Sequence, residues 1–96
     1  MITAYPESEN MQSLEIQREL RNLIKENAEG IPPHQIAQMI QESDAGEPRI
    51  ALEDFCTQLS EYDIAVSPAM VSKLEMLARQ MSVDESYWKE LIQRKD

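Results

Sequence analysis

The sequence predicts an all-α fold, a compact bundle of about five short helices, and three observations predict it. Apolar residues recur three and four positions apart in five separate stretches, the spacing of one helical face. The stretches are separated by helix punctuation, notably Gly30-Ile31-Pro32-Pro33, Gly46-Glu47-Pro48 and Ser67-Pro68. The one β-like run, Ile64-Ala65-Val66, is too short for a sheet without an alternating partner or a hairpin turn. The 96 residues suit one domain over 1–96, burying roughly 60–70% of the surface its unfolded form exposes. Residues 1–10 read as a flexible N-terminal segment.

The first helix spans Gln12 to Ala28, with Ile16, Leu20, Leu23 and Ile24 on one side and Glu15, Arg18, Glu19, Lys25 and Glu26 on the other. Ser13 or Ser8 is its expected N-cap and Gly30 its expected terminator. Pro33 opens the second, short helix, whose apolar face is Ile36, Met39 and Ile40 and whose run stops at Ser43-Asp44-Ala45-Gly46. Pro48 opens the third, with Leu52, Phe55, Cys56 and Leu59 as a core stripe that Tyr62 continues. Ser67-Pro68 caps and starts the fourth, whose seam is Val71, Leu74, Leu77, Ala78 and Met81. Ser82-Val83-Asp84-Glu85 has the capping-box pattern, with Ser82 or Asp84 as the cap, and Trp88, Leu91 and Ile92 dock the last helix.

Composition argues against catalysis. The lone His34 follows two prolines at a helix start and has no second histidine with which to share a metal. Cys56 sits on an apolar stripe beside Glu53 and Asp54, which raises a thiol pKa, so it reads as a small buried hydrophobe suited to a reducing cytoplasm. The carboxylate pairs Glu53-Asp54 and Glu61/Asp63 fall on exposed helix positions, not in a concave site. Ser43 to Glu47 lacks the alternating ligands of a calcium loop. Two glycines cannot build a phosphate-cradling loop. Met39, Met70, Met76 and Met81 read as core filling. No cofactor is expected.

The apolar runs are far shorter than the roughly 20 residues of a membrane span, and Met1 to Asn10 carries acids but no Lys or Arg, unlike a secretory or transit signal. A soluble, cytoplasmic protein is expected. The net charge is −9, which disfavours nucleic acid and anionic lipid and favours a cationic partner. Two thirds of that excess lies between residues 42 and 63, where Glu42, Asp44, Glu47, Glu53, Asp54, Glu61 and Asp63 face only Arg49. Clustered like charge costs folding free energy, so the region reads as a binding face, with Tyr62 as a desolvated anchor.

Gly46-Glu47-Pro48, Ala51-Leu52-Glu53, Cys56, Leu59, Glu61-Tyr62-Asp63-Ile64, Val66-Ser67 and Tyr87-Trp88 resemble the small immunity proteins of the Maf type. Related helical proteins accompany contact-dependent growth inhibition toxins. The resemblance covers roughly residues 46–91, and the run Leu52 to Ile64 is its most specific part. It implies a bacterial, cytoplasmic, non-enzymatic protein that binds the C-terminal domain of one cognate toxin, often a nuclease, and blocks it. A nuclease carries cationic groups for its substrate's phosphates, so an acidic inhibitor competes for the same surface. The candidate toxin-binding residues are Glu42, Asp44, Glu47, Glu53, Asp54, Glu61, Tyr62 and Asp63. A helical adaptor binding another basic or amphipathic protein segment is the alternative, and a homodimer is left open.

Overall fold

A computed structural model describes residues 12–94 and shows an all-α bundle of five helices: α1 (Ser13–Glu26), α2 (Pro33–Asp44), α3 (Pro48–Glu61), α4 (Pro68–Gln80) and α5 (Glu85–Arg94). The segment 1–10 and Ser8 lie outside the described residues. Helix α3 is central and packs against α1, α2 and α5, while α4 packs against α1 and α5. Among the described residues no helix is long and apolar enough to cross a membrane.

The apolar stripes meet in one core. Leu20, Leu23 and Ile24 of α1, Met39 of α2, Ala51, Leu52, Phe55, Cys56 and Leu59 of α3, and Leu74, Leu77 and Ala78 of α4 are all essentially solvent-free. Leu91 and Trp88 bring α5 into the same core, and Trp88 Nε1 donates to the Val83 carbonyl at 3.3 Å. The loop residues Ile31, Val66 and Val83 close it. Ile64-Ala65-Val66 is an irregular connection, not a strand. Two expected core residues stay outside. Met76 is exposed on α4, and Tyr62 is half-exposed because it is the C-cap of α3, where the stripe has already ended.

Helix ends explain the other departures from the sequence pattern. Ser67 caps α4 as expected, its hydroxyl accepting from the Met70 N–H at 3.1 Å. Helix α1 starts on Gln12, which offers no side-chain cap, in place of the expected serine. It stops before Gly30, where Asn27 Nδ2 donates to the Leu23 carbonyl at 2.8 Å and satisfies one orphan acceptor of the last turn. Helices α2, α3 and α4 all end alike. A residue with positive φ follows the C-cap, and the next N–H turns back to the carbonyl five residues earlier, the Schellman geometry. The bonds are Glu47 N–H to Glu42 O (2.9 Å), Ile64 N–H to Leu59 O (2.9 Å) and Val83 N–H to Ala78 O (2.8 Å). The left-handed residues are Gly46, Asp63 and Ser82. Ser82 therefore terminates α4 instead of capping α5. Asp84 caps α5, its Oδ1 accepting from the Ser86 N–H at 2.8 Å, and that bond holds its carboxyl below the usual range.

Candidate functional site

The eight acidic-region candidates do not form one surface. Asp44, at the end of α2, is bound by Arg21 of α1 at 3.0 Å. Glu53 pairs with Arg49 one turn earlier on α3 at 3.4 Å. Glu42 and Asp54 face each other across the α2–α3 packing. No donor reaches Glu42 Oε1 among the described residues. Burial first, then the hydrogen bond and charge of Asp54, push the Glu42 carboxyl above its ordinary value, while Gln38 pulls the other way. Four of the expected binding acids are thus engaged within the molecule.

The other four sit at helix boundaries. Glu47 precedes α3 and is exposed. Glu61 ends α3, Tyr62 caps it, and Asp63 is the left-handed residue that turns the chain towards α4. Ile64 follows, and its Cδ1 lies where a Cβ on Gly30 would stand, at 2.7 Å. Gly30 is required there both by this close approach and by its φ of +94°. Asp63 and Ile64 therefore shape the corner between α3 and α4.

Beyond Tyr62, a cleft of about 330 Å³ opens between α3 and α5. Ser60 and Glu61 form one wall, Ser86, Tyr87 and Glu90 the other, and Cys56 lies at its base. Cys56 is fully buried, and its thiol is pushed up to about 12, mainly by burial and then by Glu53. It packs as a hydrophobe there. Tyr87 is exposed, as are Glu61 and Glu90, and neither carboxylate makes an ion pair among the described residues. Counting charge along the chain missed Glu90, because Lys89, Arg94 and Lys95 balance it in sequence.

The remaining candidate chemistry stays dispersed. His34 is exposed near the start of α2. Among the described residues no three His, Cys, Asp or Glu side chains come together as a group able to hold a metal ion. The arrangement is suited to recognition by charge and shape: a helical frame with Glu61 and Glu90 exposed beside the last turn of α3. No family model, curated protein or solved structure matches the chain.

Proposed function

We propose that this chain is an immunity protein that binds a cognate toxin domain and neutralises it by masking a cationic active or substrate-binding surface. The observation that carries this reading is the concentration of negative charge between residues 42 and 63, of which Glu47 and Glu61 stay exposed at either end of a well-packed α3. Like charges held at the surface of a small domain repel one another and are relieved when a basic partner docks. The Leu52 to Ile64 run, by which the chain resembles Maf-type immunity proteins, supports the same reading. It forms α3 and the turn after it.

Co-expression with the protein encoded immediately upstream tests the proposal, scored by rescue of growth and by co-purification. Rescue with a one-to-one complex is expected. Growth arrest despite well-expressed, folded chain would sink the reading. Charge supplies the second test. Changing the exposed Glu47 and Glu61 together to Lys is expected to slow association and flatten its salt dependence while the helical circular dichroism persists. Unchanged association kinetics would remove the acidic-surface mechanism.

A further inference from the structure

Of four clefts on the described surface, two already have cations on their walls. The one beside Leu14 is lined by Arg18, Arg21 and Asp44 and so supplies its own cations. That between α1 and α4 contains Lys73, which binds Glu19 at 3.0 Å. The cleft at the α3–α4 corner has Glu26, Glu29 and Asp63 on its walls, with Lys73 in the field of Glu26, and no aromatic side chain lines it among the described residues. The α3–α5 cleft differs from all three. It joins two carboxylates, Glu61 and Glu90, to the ring of Tyr87 and the hydroxyls of Ser60 and Ser86, and among the described residues no Lys or Arg lines it.

The molecule contains a filled version of this arrangement. On the neighbouring α4–α5 face, Arg79 lies 5.2 Å from the centre of the Trp88 ring, and its guanidinium donates to Glu75 Oε2 at 3.1 and 2.8 Å. An aromatic face and a carboxylate together hold a guanidinium, which stacks through its plane and donates through its edge. In the α3–α5 cleft the aromatic and the carboxylates are present, and among the described residues no cation stands between them.

We infer that the cleft between α3 and α5 receives an arginine side chain of the partner protein, stacked on Tyr87 and bound by Glu61 and Glu90. The inference rests on the reading of the chain as a binder of a cationic protein, and it moves the anchor point from the middle of the acidic segment to its far end and to α5. Arginine fits better than lysine, because it donates to two carboxylates at once while its plane covers the ring.

The test titrates the full ¹⁵N-labelled chain with the peptide acetyl-Gly-Arg-Gly-amide and, in parallel, with its citrulline counterpart, which has the same shape without the charge. Saturable amide shifts centred on Ser60, Glu61, Ser86, Tyr87 and Glu90 are expected, with a dissociation constant in the millimolar range. The citrulline peptide, and the Glu61→Gln/Glu90→Gln variant towards the arginine peptide, should bind about five- to tenfold more weakly. Equal binding of the citrulline peptide, an undiminished response of the double variant, or shifts centred on Glu26, Glu29 and Asp63 would overturn the inference. Arginine bound in the cleft of a chain that fails to rescue growth would sink the immunity reading alone. Full rescue by the double variant, with no cleft shifts, would sink the cleft alone.

Discussion

The two ends of α3 both carry carboxylates and treat them differently. Around its first half, Glu53 is paired with Arg49, Asp44 is held by Arg21, and Asp54 meets Glu42 across the helix packing. At its last turn, Glu61 lies beside Tyr87 and Glu90 on the wall of an open cleft, with no ion pair among the described residues. Apart from the exposed Glu47, charge in the first region is spent inside the fold, whereas charge in the second is presented. A run of acids in a sequence is therefore not yet a surface, because helix packing decides which members keep their field in solvent.

The comparison depends on a rigid α3, and Phe55, fully buried midway along it, tests that most severely. Phe55→Ala is expected to cost about 3–5 kcal/mol in urea denaturation, and Leu74→Ala on α4, equally buried, about 2–5 kcal/mol. A cost near zero at either site would show that the core under α3 is not the one described. Gly46 and Gly30 then separate backbone strain from contact at the corners before and after α3. Both have positive φ, but a Cβ meets Ile64 at Gly30 and open space at Gly46. Each Ala variant should lose about 1–2 kcal/mol, with Gly30→Ala the larger loss. Equal losses would mean that Ile64 gives way freely.

A smaller effect distinguishes the two carboxylate regions directly. The folded Glu42 carboxyl titrates above its ordinary value near 4.5. Its stabilising contribution is therefore fully present below that value and is lost as pH rises through the higher folded one. Glu42→Gln puts an amide donor against Asp54 and should raise stability at pH 7 by a few tenths to about 1 kcal/mol, with the gain vanishing towards pH 4. Glu61→Gln should change stability by less than about 0.5 kcal/mol at either pH. Thermal melts from pH 4 to 8 check both, and matching profiles for the two variants would erase the distinction. Asp84 works in the opposite sense. Its lowered carboxyl contributes above its ordinary value of 3.8 and loses that contribution as pH falls through the folded value.

Much of the fold was legible in the sequence because its signals are local. The prolines opening α2, α3 and α4, the Ser67 cap and the stripes from Leu20 to Leu91 each act within one helix, and all appear where the spacing put them. What was illegible depends on residues remote in sequence. Arg21 reaches Asp44 across 23 positions, and Glu42 meets Asp54 only because α2 folds back on α3. Ser82 misled for a different reason. The capping-box pattern fits it, but the backbone places it at φ 56° as the last element of α4, a role usually taken by glycine or asparagine. The cleft was hidden because its two walls come from helices that sequence counting treats separately, one acidic and one balanced.

The prolines at the first positions of α2, α3 and α4 also fix how the chain can be rearranged. Proline has no N–H to give to the preceding turn and clashes with its carbonyl, so α1 cannot fuse with α2, nor α2 with α3, nor α3 with α4. The join between α4 and α5 has no such lock. Four residues separate these helices, and the Ser82 backbone and the Asp84 cap hold the bend. The join that leads to Tyr87 and Glu90 is thus held by a left-handed serine and an aspartate cap, where the other three are held by proline.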